Sequence, residues 1–132
     1  MRKPTTVAQN LQIVFSRIAD RVDDDEFNAW YDAHLGEILS IPGFVSAQRY
    51  RLEPVVADAG EPVTYRYLSV YEIEGDPDEL LAQMEQASLG TRDSYRERKE
   101  AGDTGPELPP WWDDVTFASW NCIAIGDRIT AG

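Results

Sequence analysis

The most informative residue for chemistry is His34, the only histidine of the chain. Histidine is the side chain that most readily gains and loses a proton near neutral pH. Residues 23–40 have helical periodicity, and at roughly 100° per residue one side of this helix carries Phe27, Tyr31, His34 and Ile38. We therefore expect His34 to face the interior, either as a general acid or base in a cleft or as a hydrogen-bonded core residue.

Aromatic side chains are numerous, with four Trp, six Tyr and four Phe among 132 residues, and some of them could line a pocket. Trp111 and Trp112 form a doublet in a proline-rich loop, where they could close over a flat apolar ligand or simply anchor the loop. Side chains in the predicted strands could bind the same ligand if they point towards the helices. The predicted substrate-binding residues are Trp30, Tyr31, Tyr67, Trp112, Trp120 and Asn121.

Other charged and metal-binding residue types give weaker signals. Cys122 is the only cysteine, so an internal disulfide and a zinc site of His and Cys ligands are both excluded. Arginine recurs in the predicted strands as Arg17, Arg49 and Arg66, where ion pairing with surface carboxylates and anion binding are equally good explanations. The sequence contains no phosphate-binding loop or dinucleotide fingerprint. We expect neither a metal nor a cofactor.

The charge balance restricts the partners of the protein. Acidic residues outnumber basic ones by 24 to 12, which gives a formal net charge of −12. A field of this sign repels phosphate backbones and anionic membrane surfaces, so we expect no binding to nucleic acid or membrane. The sequence also lacks an apolar run of the roughly 20 residues that a bilayer crossing needs, and its start lacks a signal-peptide core. The predicted location is the cytoplasm.

The periodicity of apolar residues predicts four strands and two main helices in the order β-α-β-β-α-β, within one domain that spans residues 1–132. The predicted strands are 9–19, 44–52, 63–74 and 115–126. The predicted helices are 23–40 and a second one that begins at Pro77, and a short solvated helix is expected over 92–101.

Both predicted helices have recognisable starts. Asp23 with Glu26 fits a capping box, and the run Asp76-Pro77-Asp78-Glu79 combines an N-cap acceptor with a proline at the first helical position. The buried stripe of the second helix is expected to contain Leu80, Leu81 and Met84.

This element order predicts an α+β, ferredoxin-like fold, a four-stranded antiparallel sheet with both helices on one face. The other sheet face would be solvated if one parity of each strand were polar, but both parities carry large apolar residues. In the third strand, for example, Tyr67 and Tyr71 alternate with Leu68 and Val70. We therefore expect a homodimer formed through the open sheet face.

The stretch from Glu26 to Leu35, with its aromatic pair followed by His34, resembles the first helix of EthD-like proteins. The resemblance continues through Ile41-Pro42-Gly43-Phe44 and Gln48-Arg49-Tyr50, and over the remaining chain it extends to element order only. It implies a dimeric α/β barrel with a ligand cleft between helices and sheet, where several members use a histidine as acid or base. The segment 92–112 is additional to the shortest members of this group.

Three functions fit these features. The first is a cofactor-free enzyme that transfers protons on an aromatic or polyketide-like compound, as an isomerase, dehydratase, cyclase or decarboxylase, with His34 as the acid or base. The second is a cofactor-free monooxygenase or a haem-handling protein, and in the haem case His34 would have to be the axial ligand. The third is a non-catalytic binding or accessory protein of a degradation pathway.

Overall fold

The computed structural model describes residues 9–55, 65–86, 100, 102, 111 and 114–132. Within these residues the chain forms four strands and two main helices in the predicted order. They are β1 (Asn10–Ile18), α1 (Asp24–Leu39), β2 (Phe44–Arg51), β3 (Tyr67–Ile73), α2 (Pro77–Gln86) and β4 (Val115–Cys122). Neither helix has the length and apolarity needed to cross a lipid bilayer.

The strands form one antiparallel sheet in the order β2-β3-β1-β4. The two central strands are therefore β1 and β3, and Ser16 of β1 lies opposite both Tyr67 of β3 and Phe117 of β4. This arrangement is the ferredoxin-like fold, so the predicted fold class is confirmed.

One face of the sheet is covered by the helices. Every second residue of β3 is buried on this face, starting at Tyr67, and α1 contributes Phe27, Tyr31 and Ile38 to the same core. The opposite parity of the central strands is only partly buried and remains apolar, with Leu11, Ile13, Phe15, Leu68 and Val70. We call the latter surface the open face.

A β-bulge in β2 decides which of its side chains meet the helices. Phe44 pairs with Ile73, and the next paired residue is Ser46 with Glu72, so the alternation changes phase between them. From there Arg49 is paired with Ser69, whose side chain is fully buried beneath the helices. The bulge thus places Arg49 on the helix side of the sheet together with Phe44.

The start of α1 differs from the prediction. Asp23 is the N-cap residue, but its side chain makes no capping hydrogen bond, so the predicted capping box with Glu26 does not form. The acidic first turn of α1 still suits the positive end of the helix dipole. The chain leaves the helix through Gly43, whose φ of +102° is a conformation that favours glycine.

The start of α2 agrees with the prediction, because the backbone N–H of Asp78 donates to Asp76 Oδ1 at 3.0 Å. Leu80 and Met84 are buried one helical turn apart, as expected. Leu81 is 50% exposed, so its predicted place in the buried stripe is wrong. It lies about 100° around the helix from Leu80, beyond the narrow side that faces the sheet.

All four predicted strands extend past the observed ones, β1 by one residue at each end and β2 by one residue. β3 begins at Tyr67, after residues 65 and 66, and residues 63 and 64 lie outside the described residues. β4 ends at Cys122 instead of residue 126. Among the described strands β4 pairs only with β1, and the end pair of this ladder joins Cys122 to Leu11. The chain beyond Cys122 therefore has no strand partner there. The Asn10 side chain instead accepts the N–H of Ala124 at 2.9 Å. Of the predicted helix over 92–101, only Glu100 is described, and it is helical.

Candidate functional site

His34 lies in a cluster of aromatic rings on the sheet side of α1. Its imidazole stacks on the indole of Trp30, with ring centroids 5.0 Å apart and an interplanar angle of 15°. Tyr31 contacts the same imidazole edge to face, at 5.5 Å between centroids. Side chains three and four positions apart are neighbours on a helix, so α1 itself brings these rings together.

Glu37 places a carboxylate beside this imidazole. Its Oε1 lies 3.5 Å from His34 Nδ1, and the two side chains are largely shielded from solvent. A carboxylate at this position can accept a hydrogen bond from Nδ1 in the tautomer that carries a proton there, which would hold the orientation of the ring. Glu37 was not among the sequence candidates, although the spacing of three residues from His34 on a helix was a usable signal.

Trp111 also belongs to this cluster. Its buried indole contacts Phe27 at 5.6 Å and Trp30 at 5.9 Å between ring centroids, both edge to face. Trp111 thus packs against α1, whereas residues 103–110 lie outside the described residues, so the anchoring of this loop by one indole stays a prediction. Trp112, the other predicted ligand-binding indole, lies outside the described residues.

Arg49 brings a permanent positive charge to the same side of the sheet. Its guanidinium carbon lies over the rings of Tyr31 and Tyr67, at 4.4 and 5.3 Å from their centroids. Nη1 donates to Asn28 Oδ1 at 2.8 Å, while the nearest carboxylate oxygen, of Asp32, is 3.7 Å away. Nε and Nη2 are buried and have no hydrogen-bond partner among the described residues.

Tyr31 extends from the His34 cluster to the middle of the sheet. Burial raises the pKa of its phenol, and the hydroxyls of Ser69 and Tyr71, the charge of Arg49 and the hydroxyl of Ser16 offset part of the increase. Within the described part of the chain, the Ser16 and Ser69 hydroxyls have no hydrogen bond of ordinary geometry, so they act on Tyr31 as nearby dipoles.

Tyr67 points to the helices, as its predicted role requires, and its hydroxyl belongs to a polar network at the start of α1. The hydroxyl donates to Asp24 Oδ2 at 2.7 Å and lies 3.4 Å from Asn28 Nδ2. Partial burial and the hydrogen bond to Asp24 raise the pKa of the phenol. Arg66 holds the same carboxylate, with its Nη1 3.0 Å from Asp24 Oδ1.

Trp120 and Asn121 lie apart from this cluster. Trp120 pairs with Ile13 on the open face and is 64% exposed, whereas Asn121 pairs with Gln12 on the helix side but is exposed near the end of β4. Adjacent strand residues point to opposite faces, so the two cannot both bind one ligand between helices and sheet. The structure therefore brings Trp30 and Tyr31 together with His34, places Tyr67 on the same side of the sheet but beside Asp24 and Asn28, and leaves Trp120 on the other face.

Comparison with solved structures identifies proteins of similar architecture. HapK from Hahella chejuensis is 18% identical over 93% of this chain and 99% of its own, with a TM-score of 0.52. Hydroxynitrile lyase from Passiflora edulis is 12% identical over 91% of this chain and 97% of its own, with a TM-score of 0.51. An EthD family protein from Bacillus halodurans is 14% identical over 92% and 100% of the two chains, with a TM-score of 0.44.

No protein-family model matches the sequence, and the comparison with curated proteins finds no match either. At identities below one fifth, similarity between solved structures establishes architecture and not activity. The chain therefore has the ferredoxin-like fold that its sequence predicted.

Proposed function

We propose that the protein is an enzyme that transfers a proton on a small, flat organic molecule, with His34 as the general acid or base. The observation that carries this proposal is the setting of the imidazole, which is stacked on Trp30 and has the Glu37 carboxylate 3.5 Å from Nδ1. A ring held in one orientation beside a carboxylate is suited to accept a proton and to return it.

The reaction uses the two nitrogens of His34 differently. Nε2 would take a proton from the substrate carbon, while Glu37 stabilises the resulting imidazolium through the proton on Nδ1. Return of the proton to another substrate atom completes an isomerisation, loss of a β-hydroxyl as water completes a dehydration, and attack of the carbanion on a carbonyl of the same molecule completes a cyclisation. In a decarboxylation the carbanion forms by loss of CO2, and protonated His34 would supply the proton that replaces it. Each of these reactions passes through an enolate-like anion, so the same acid and base can serve all of them.

The aromatic surroundings support a flat, conjugated substrate. The ring of Trp30 lies 5.9 Å from that of Tyr31 and 5.9 Å from that of Trp111, measured between centroids. Such rings bind an aromatic or polyketide-like compound through apolar contact and stacking. The similar architecture of a hydroxynitrile lyase is consistent with lyase-type chemistry on this fold.

The proposal is tested by hydrogen exchange, which detects proton transfer before the complete reaction is known. A panel of enolisable aromatic ketones and polyketide-like diketones is incubated with the protein in deuterated water, and loss of the α-proton signal is followed by NMR. For an active compound we expect His34→Gln to lower the exchange rate by about two to four orders of magnitude, the usual range for a positioned acid or base. Circular dichroism and the oligomer mass should remain those of the native protein.

Two outcomes would contradict the proposal. Unchanged exchange in His34→Gln would remove the proton-transfer role of this residue. Saturable binding of panel compounds without catalysed exchange would instead support the non-catalytic binding role, which the same aromatic cluster could also perform.

A further inference from the structure

Arg49 is a buried cation whose charge is incompletely matched by the described residues. Only Nη1 makes a hydrogen bond of normal length, to Asn28. Asp32 is 3.7 Å away and its side chain is 71% exposed, so water screens this ion pair strongly. The guanidinium cannot lose its proton to escape the cost of burial, since arginine stays charged at all ordinary pH values.

The aromatic rings around Arg49 compensate its charge but not its hydrogen-bonding groups. Tyr31 and Tyr67 present ring faces that attract a cation. Nε and Nη2 nevertheless remain buried without an acceptor in the described part of the protein. A buried donor of a charged group is normally satisfied, so two of them on one side chain indicate a place for an acceptor.

Two serine hydroxyls lie on the same face of the sheet. Ser69 is the cross-strand partner of Arg49, and Ser16 lies on β1 two residues beyond Val14, which pairs with Ser69. Both are 1% exposed, and among the described residues neither hydroxyl has a hydrogen bond of ordinary geometry, although both lie close enough to the Tyr31 phenol to offset part of the rise that burial causes in its pKa. Serine at two central positions of the sheet, beneath Tyr31, also leaves more room than the large apolar residues typical of such positions.

We infer that Arg49, Ser69 and Ser16 form a binding site for an oxyanion of the substrate, which makes the substrate of the proposed reaction a flat organic acid or the enolate formed from it. Two guanidinium N–H groups and two hydroxyls supply the donors that a carboxylate or an enolate oxygen needs. The net charge of −12 repels anions at long range, so attraction must come from this local cation.

This inference rests on the proposed function, because it takes the position of the reacting substrate atom from the role of His34. Tyr31 contacts Arg49 with its ring face and His34 with its edge, so the oxyanion site adjoins the acid or base. The positive charge of Arg49 would stabilise the negative charge that develops on a bound oxygen atom when His34 removes a neighbouring proton. Arg49 would thus select the substrate and also lower the barrier to its reaction.

The test compares binding of benzoate with binding of benzamide, a neutral molecule of similar shape, by NMR titration of the full chain near neutral pH. We expect the native protein to bind benzoate at least about tenfold more tightly than benzamide, and we expect Arg49→Gln to abolish this preference. Arg51→Gln is the matched control, because Arg51 lies two residues further along β2, is exposed and pairs with Glu53 at 2.7 Å. It should retain the preference.

Two further probes complete the test. Ser69→Ala should reduce the preference for benzoate by a few fold, and it gives a decision even if Arg49→Gln fails to fold. The ionised form of 4-nitrophenol distinguishes the two kinds of oxyanion: Arg49-dependent binding of benzoate alone assigns the site to a carboxylate, and binding of both assigns it to oxyanions in general.

The inference is overturned if the native protein shows no preference for benzoate, or if the preference persists in both Arg49→Gln and Ser69→Ala. Failure of the proposed function is a separate result. His34→Gln should keep the preference for benzoate, so loss of proton exchange and loss of anion binding are measured independently.

Discussion

The imidazole of His34 lies almost parallel to the indole of Trp30, at 5.0 Å between ring centroids, and this stack fixes the plane in which the imidazole can meet a substrate. Trp30→Leu removes the flat surface and should lower the rate of proton exchange by about 10- to 100-fold, because a displacement of the order of 1 Å is enough for such a loss. The measurement is exchange of the α-proton of a panel compound.

Trp30→Phe is the matched control, since a phenyl ring still offers a flat face to His34. It should retain most of the exchange activity, and its melting temperature should be close to that of Trp30→Leu. Equal losses of exchange in the two variants would mean that the volume of the indole, and not its stacking on His34, supports the reaction.

The buried phenol of Tyr31 should make the stability of the protein depend on pH in the alkaline range. Burial raises the pKa of its phenol above the usual 10.0, so the native state holds the phenolic proton more tightly than the unfolded chain does. As the pH rises above about 10, the unfolded chain releases this proton first, and the free energy of unfolding falls until the pH passes the native pKa. The stabilising effect is fully present below pH 10.

Urea unfolding of the native protein and of Tyr31→Phe, from about pH 8 to about pH 11, measures this contribution. We expect the native protein to lose stability more steeply than Tyr31→Phe above pH 10. Other alkaline groups are common to both proteins and cancel in the comparison. Parallel curves would show that the Tyr31 phenol is as accessible to ionisation in the native state as in the unfolded chain.

The two helix starts provide a matched pair of mutations. Asp76 accepts a hydrogen bond from the N–H of Asp78, whereas Asp23 makes no capping bond with its side chain. Both substitutions to alanine remove one negative charge near a helix N-terminus, so the difference between them isolates the hydrogen bond. We expect Asp76→Ala to lower the free energy of unfolding by about 1 kcal/mol and Asp23→Ala to lower it by less. Chemical denaturation measures both, and equal losses would contradict the assignment.

The sequence predicts the fold and the part of the site that lies on α1, namely His34 with Trp30 and Tyr31, because these features depend on local periodicity. The spacing of Phe27, Tyr31 and Ile38 on α1 is sufficient to place the helix against the sheet and His34 beside its buried side. Strand ends are less predictable, since the length of β4 depends on where β1 begins and not on its own residues.

The role of Arg49 could not be derived from alternation along β2. Simple alternation from the buried Phe44 would place Gln48 and Tyr50 towards the helices, but the bulge before Ser46 reverses the phase and places Arg49 there. A bulge depends on pairing with β3, which one strand does not encode. The orientation of Trp120 and Asn121 could not be predicted either. Alternation along β4 places them on opposite faces of the sheet but does not say which of the two faces the helices.

The open face predicts self-association. Tyr50 and Trp120 are large exposed residues on its opposite sides. A shallow depression along β2 and β3 is lined by Tyr50, Leu52, Leu68 and Val70 together with the charged Arg51 and Glu53. An apolar sheet surface of this kind is unfavourable in water, and a second copy of the same surface can cover it with twofold symmetry. We therefore expect a homodimer with twice the 14.9 kDa mass of the chain.

Light scattering at micromolar concentration measures this mass, and thermal unfolding at several concentrations tests whether folding and association are coupled. We expect the melting temperature to rise with protein concentration, because association with a second copy stabilises the folded chain.

Val70→Asp places a charge in the middle of the open face, on β3, and should shift the mass towards the monomer. Glu72→Asp is the control, since Glu72 lies two residues further along the same strand with the same parity and already carries a charge. A monomeric native protein, or a Val70→Asp variant that keeps the dimer mass, would show that the open face is not the contact surface.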